Sequence, residues 1–265
     1  MKIVFWSPTR GRCRTTSSLL ALATNLAFVS GLKSCILSTN CSDNFQSALL
    51  GKDNEEALDS TVSTFGMDAL LRDAKGAALT KNNIEDAAVD LSSKLSIFIP
   101  ASSKDKKVIE KSLLHNHSVI LDALNAIYPL VFIDTKGGFS ALNQEILAKA
   151  DLIVVCLNQS SRLIEDTFKR CEFEKQNCLF LFGDYDKKVT VSPRNLQRKY
   201  KYVTSRNTAS IPHCSDFANA INEGSVYKWT ALNQKCKMRD PNYEFCREVQ
   251  SASNKLLKLL AGIRR

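Results

Sequence analysis

No stretch of this 265-residue chain runs eighteen apolar residues without interruption, so the sequence offers no membrane-spanning helix. Its first residues pass directly into a strand-like run, with no basic region, apolar signal and small-residue cleavage site ahead of it, and export is not expected. Histidine is scarce at three residues, and none of the nine cysteines belongs to a Cys-x-x-Cys pair. Metal ligation needs ligands clustered at short spacing, so a zinc framework is not expected. His115 and His117 form the one near-cluster, but they lie two apart in a helix-like segment, where side chains face different directions. They read as structural or surface histidines. Most cysteines read as reduced, small apolar core residues, and the cytoplasm is the expected compartment. Internal repeats and low-complexity tracts are also lacking.

What is present is a globular composition, 44% hydrophobic and 24% charged, with β-rich apolar runs alternating with helix-period segments. That alternation is the pattern of a parallel sheet covered on both faces. The runs predict strands at 2–6, 34–38, 95–99, 130–134, 152–157, 178–182 and 208–211. Helices fit 15–30, 67–75, 83–90, 105–127, 141–149, 161–172, 192–202 and 214–222. Short turns separate them, so the expected fold is one α/β domain over 1–265, a doubly wound, mostly parallel sheet with helices on both faces. Residues 40–66 are polar and read as a mobile loop. After Gly224 comes a polar connection, then an amphipathic helix over about 241–262, with Asp240-Pro241 at its start.

The most informative segment is the first. Ile3-Val4-Phe5-Trp6 meets Ser7-Pro8-Thr9-Arg10-Gly11-Arg12-Cys13-Arg14-Thr15-Thr16 and then a long apolar helix pattern. A strand feeding a tight loop that opens a helix aims backbone N–H groups and the positive helix end at one point, where phosphate sits. Arg10, Arg12 and Arg14 are poorly placed for the helix dipole, which favours anions at this end, and a bound anion would offset their repulsion. The bland alternative is a solvated basic turn. A second segment, Val131-Phe132-Ile133-Asp134-Thr135-Lys136-Gly137-Gly138, is a strand ending in an acid and a Gly-rich turn, the place from which a carboxylate faces metal-bound phosphates.

In this order of pieces the chain resembles the ParA/MinD group of deviant-Walker P-loop ATPases. Residues 7–16 lie over that family's Lys-Gly-Gly-x-Gly-Lys-Thr-Thr loop, followed by a Leu/Ala-rich helix from Leu19 to Ala27. Phe132-Ile133-Asp134-Thr135 resembles its Walker B strand, and Ala150 to Val155 its next strand. Ile211-Pro212 and Phe217 to Gly224 are similar to its late Ile-Pro turn and helix. The resemblance implies ATP or ADP with Mg2+ at Gly11, Arg12, Cys13, Arg14, Thr15, Thr16 and Asp134, the metal on Thr15 and Asp134. It implies a homodimer that organises other components in space. Trp6-Ser7-Pro8 and Phe180 to Asp186 look most like the CpaE/TadZ-like subgroup of Tad/Flp pilus assembly. Secretion or pilus-assembly proteins are then the implied partners, at the inner face of the membrane.

The departures are as specific as the matches. The family's signature Lys falls on Thr9, its first Gly on Arg10, its phosphate-cradling Lys on Arg14, and a Gly on Cys13. Its acid-x-acid pair falls on Ser38 and Asn40, neither of which is a carboxylate. Gly183 lies near the place of an adenine-reading Asn. Slow or absent hydrolysis is expected, and a pseudo-ATPase interaction module that binds no nucleotide is the alternative.

Charge adds a second candidate site. The net charge is +9, and residues 133–265 hold 22 Lys and Arg against 14 acids. Within 187–206 there are seven basic residues and no acid; Arg194, Arg198, Lys199 and Lys201 are its candidate polyanion contacts. DNA, in a partition-type ATPase, or an anionic membrane surface would fit them, as would a merely solvated helix face. The last helix, basic and apolar by turns through Lys255 and Lys258, reads as packed on the sheet in preference to a membrane anchor.

Overall fold

The computed structural model describes residues 1–40, 45–51, 65–101 and 105–263. Among these residues eight strands form one sheet: β1 (Lys2–Trp6), β2 (Ser34–Ser38), β3 (Val89–Ser92), β4 (Leu95–Phe98), β5 (Leu130–Asp134), β6 (Leu152–Leu157), β7 (Cys178–Tyr185) and β8 (Thr208–Pro212). Their order is β3-β4-β2-β5-β1-β6-β7-β8. Every pairing is parallel except β3 with β4. β5 and β6 are buried along their whole length, which explains why they read as continuous apolar runs without polar alternation. Successive β1 side chains enter opposite layers: Ile3 and Phe5 one core, Val4 and Trp6 the other.

The described helices are α1 (Thr15–Val29), α2 (Ser47–Leu50), α3 (Gly66–Lys75), α4 (Lys81–Ala87), α5 (Lys106–Ile127), α6 (Ala141–Ala148), α7 (Ser161–Arg170), α8 (Pro193–Lys199), α9 (Ser215–Glu223), α10 (Val226–Asn233) and α11 (Tyr243–Ile263). α1, α2, α9, α10 and α11 contribute to the core that holds Ile3 and Phe5; α3 to α8 contribute to the other. Helix starts follow side-chain caps: Asp105 accepts from the Lys107 and Val108 amides, and Ser140 from Asn143.

α11 lies packed along β8, burying Phe245, Val249, Ala252, Leu256 and Leu260, as the amphipathic pattern requires. Each such Leu contributes about 2 kcal/mol by burial. Lys255 donates to the Thr208 carbonyl at 2.7 Å, covering an edge that would otherwise be open. The contact between α1 and the carboxyl-terminal helices is also polar. Thr24 and Thr230 share a hydrogen bond of 3.0 Å, Asn25 donates to Ser253 at 2.9 Å, and Gln234 donates to Asn25 at 3.2 Å.

Four sequence readings need correction. The helix expected at 83–90 ends at Ala87, and Val89–Ser92 forms the antiparallel edge strand β3, with a bulge between Asp90 and Ser92. The polar connection after Gly224 contains α10, whose buried face is only Val226 and Thr230, too thin a stripe to read. The last helix begins at Tyr243, because Asp240 and Tyr243 first close a turn. α8 ends at Lys199, where Tyr200 turns inward and stacks on Phe168 at 4.1 Å. The expected loop over 40–66 contains α2; its residues 41–44 and 52–64 lie outside the described residues. His115 and His117 each bond a carbonyl of their own helix, Lys111 and Leu114, which is the structural role expected of them.

Candidate phosphate-binding site

The segment 3–29 folds as strand, loop and helix. Two residues of the loop take positive φ, Gly11 at 73° and Arg14 at 53°. Arg14 stands at the amino-terminal cap of α1 without a side-chain cap bond, and no acid occupies the first turn, so the helix end presents its unpaired amides and positive dipole. Against it lies a cavity of about 190 Å³ lined by Ser7, Arg10, Gly11, Arg14, Thr15, Thr16, Ser17, Thr135 and Lys136.

The turn after β5 forms the opposite wall, and it is tightly fixed. Gly138 N–H donates to the Ser7 carbonyl at 2.8 Å, and Trp6 Nε1 donates to the Gly138 carbonyl at 2.7 Å. Asn143 donates to the carbonyls of Gly137 and Gly138, each at 3.0 Å. Gly137 sits at φ 76°, and a Cβ there would lie 2.8 Å from Ser7 Oγ, so no other residue lets the two loops approach this closely.

Of the sequence-predicted residues, Gly11, Arg14, Thr15 and Thr16 line the cavity, and Asp134 lies wholly buried behind Thr16, accepting from its hydroxyl at 2.8 Å. Cys13 points into the core, where burial pushes its thiol pKa up. Arg12 faces solvent, and its carbonyl accepts from Asn158 at 3.4 Å. Neither side chain reaches the cavity wall. Thr16, one position beyond the expected Thr15, makes the contact to Asp134. These hydroxyl and carboxylate oxygens are the hard donors that Mg2+ takes together with phosphate, and Thr15, Thr16 and Asp134 are the residues that would hold it. Mg2+ would supply charge neutralisation at the phosphates. Among the described residues no cluster of three His, Cys, Asp or Glu stands ready as a metal cage.

Ser38 pairs in register with Asp134 at the end of β2. Its hydroxyl is buried and accepts from the Asn40 amide at 3.0 Å. Neither 38 nor 40 carries a carboxylate to orient a water.

Three further residues escaped sequence reading. Lys136 follows Asp134-Thr135 directly, lines the cavity, and makes a long contact of 3.9 Å with Glu110. Asp184, at φ 55°, accepts from Arg14 Nη2 at 3.3 Å on one oxygen and pairs with His213 Nδ1 at 2.8 Å on the other. The guanidinium is thus drawn towards the end of β7. Gly183 allows this: a Cβ there would lie 3.0 Å from both Arg14 Cβ and the Cys13 carbonyl. Adjacency to Asp134 was the available signal for Lys136; Asp184 and His213 had none, being brought to the loop by the sheet order alone.

In the basic stripe, Lys199 is paired with Glu165 at 2.7 Å and Lys187 with Glu244. Arg194, Arg198 and Lys201 are exposed. No helix among the described residues is long and apolar enough to cross a membrane.

Sheet order, loop and the strand-end acid beside it define the fold of the ParA/MinD-type P-loop NTPases. The chain is similar in structure to a ParA family ATPase from Chlorobium tepidum, with 13% identity over 96% of this chain and 98% of that one, at a TM-score of 0.72. It is similar also to the cell division ATPase MinD of Pyrococcus furiosus, with 16% identity over 97% and 98% and a TM-score of 0.71. The septum site-determining protein MinD of Pyrococcus horikoshii, complexed with Mg-ADP, matches at 17% identity over 100% and 99%, TM-score 0.69. No family model and no curated protein matches the sequence.

Proposed function

We propose that this chain binds a nucleotide at the loop 7–16 and serves as a spatial organiser of the ParA/MinD kind, as a homodimer, with hydrolysis slow or absent. The observation that carries the reading is the cavity at the start of α1, walled by Arg10, Arg14 and Lys136 and backed by the Thr16–Asp134 bond. A cavity with three cations on its walls and one buried acid behind it is built for a polyanion of phosphate size. The Trp6-Ser7-Pro8 opening and the 180–186 segment favour secretion or Tad/Flp pilus-assembly components as partners, at the inner face of the membrane.

Calorimetric titration with ATP and ADP, with and without Mg2+, tests the reading. Binding is expected for both, and Lys136→Ala is expected to weaken it roughly tenfold, as loss of one charge-assisted hydrogen bond of about 1.5 kcal/mol would do. Heat absent under every condition, with partner binding intact, would replace this reading by a nucleotide-free interaction module.

A partition-type role on DNA is the second reading, favoured by the exposed Arg194 and Arg198, one turn apart on α8, and the exposed Lys201 just after it. If these three neutralise three phosphates, affinity for a DNA duplex falls about fortyfold between 50 and 200 mM salt. Replacing all three by Glu is expected to abolish retention. Lys199 is left out because Glu165 already holds it. Retention unmoved by salt and by the triple variant leaves the stripe a solvated face.

A further inference from the structure

Cys13, Cys35, Cys156 and Cys178 are buried in the two cores, away from solvent. Cys236 and Cys246 are placed differently. Both are half-buried, and both line an open cavity of about 530 Å³ between α1, α10 and α11. Cys236 lies in the turn after α10 and Cys246 in the first turn of α11. The chain between them folds back on itself: the Asp240 amide donates to the Lys237 carbonyl at 2.8 Å, and the Tyr243 amide to the Asp240 carbonyl at 3.0 Å. Asn233 and Asn242 pin the two ends together. Asn233 Oδ1 accepts from the Cys236 thiol at 3.2 Å and from Asn242 Nδ2 at 3.3 Å, and the Asn242 carbonyl accepts from the Cys246 amide at 3.0 Å. The Cys236 sulfur thus stands beside Cys246, near enough to act on its proton.

We propose that Cys236 and Cys246 form a reversible oxidation site, closed to a disulfide by exchange with a small anionic disulfide of the oxidised-glutathione class. The charge around the pair selects the reagent. No acid lines the cavity, whereas Arg247, Lys255 and Lys258 do, and the exposed Lys235 and Lys237 flank Cys236. Such a field raises the local concentration of an anion.

Exchange starts at Cys236. Its thiolate attacks one sulfur of the small disulfide, the S–S bond breaks, and one small thiolate leaves and takes up a proton. Cys246 then attacks the Cys236 sulfur of the mixed disulfide, and its proton goes to the second small thiolate as that departs. Two electrons pass from the protein sulfurs to the reagent, which ends as two thiols. Burial first, and then the Cys236 sulfur, push the Cys246 thiol pKa up, so Cys246 is the resolving partner. Capping Cys236 removes the second of these causes, and the enforced proximity drives the closure. Cys214 is held out of the exchange: its sulfur accepts from the Phe217 amide and donates to Asn242 Oδ1, each at 3.4 Å, and it does not line the cavity. Closure ties the turn after α10 to α11, the two helices that hold α1.

Incubation of the reduced protein with oxidised glutathione, followed by tryptic digestion without reductant, tests the site, because trypsin cuts after Lys237 and Arg239, between the two cysteines. The peptides carrying Cys236 and Cys246 are expected to stay joined until a dithiol is added, with two titratable thiols lost per chain and no adduct retained. Cys246→Ser is expected to keep one glutathione on Cys236, and Cys214→Ser to close as the native protein does. At low salt the neutral hydroxyethyl disulfide is expected to react at least tenfold more slowly, a gap that added salt narrows. A lasting glutathione adduct on native Cys236, a bridge to Cys214, or all nine thiols unchanged would each overturn the pair. Equal rates with the two reagents overturn the anionic class. The peptide map of the native protein decides the matter if a variant does not fold.

Discussion

Supplied with ATP and Mg2+, the purified protein is expected to release phosphate at less than about 0.01 per second, a hundredfold under the low end of ordinary enzyme turnover. Phosphoryl transfer depends on charges placed in advance around the transferring group and on a residue that orients the attacking water. Ser38 is buried with its hydroxyl engaged by the Asn40 amide, and neither position carries an acid. Arg14, at the place of the cradling Lys, is drawn to Asp184. Removal of one preorganised group costs on the order of a hundredfold, and here more than one is missing. A phosphate-release assay with Arg14→Ala as control checks it. Brisk turnover that the substitution abolishes would show that the loop hydrolyses nucleotide after all.

The largest effect on stability is expected at Gly224, which ends α9 at φ 71°. A Cβ at this position would lie 2.2 Å from Gly51 Cα and 2.5 Å from the Ser47 carbonyl oxygen. These are backbone atoms and have no rotamer to yield. Gly224→Ala is therefore expected to cost about 4 kcal/mol, the sum of a left-handed non-glycine residue and overpacking. Gly31 provides the control, with φ 67° and no atom within 4 Å of the point where a Cβ would stand; Ala there meets only the left-handed penalty of about 1 kcal/mol. Urea denaturation of both variants separates the terms. Equal losses would mean that the close approach of α9 to α2 is relieved at no cost.

The sheet was legible because its central strands are buried on both faces, and burial on both faces writes an unbroken apolar run into the sequence. β1, β5 and β6 are such strands. β3 was not, because Val89–Ser92 pairs on one edge only and is half exposed, leaving no pattern distinct from a helix end. α10 failed for a similar reason. The loop and Asp134 were legible because chain order brings a strand, a turn and a helix start together locally. What the loop's arginine does was not. Arg14 finds Asp184 across 170 residues of sequence, and only strand order sets β7 within reach of it. Lys136 illustrates the intermediate case, its position plain from Asp134 but its orientation towards the cavity decided by the turn that Gly137 permits.

The hydrogen bonds that join α1 to α10 and α11 limit how the loop can respond to what it holds. Apolar packing alone lets neighbouring helices slide by small amounts, since one methyl contact replaces another. Thr24 with Thr230, and Asn25 with both Ser253 and Gln234, are directional and buried or nearly so, and separating any of them strands a polar group at about 1–3 kcal/mol. α1 therefore travels with α10 and α11 or not at all. An anion that tightened the loop at one end of α1 would therefore have to shift α10 and α11 with it, and the exposed Leu232 of α10 would carry that shift to the outer surface.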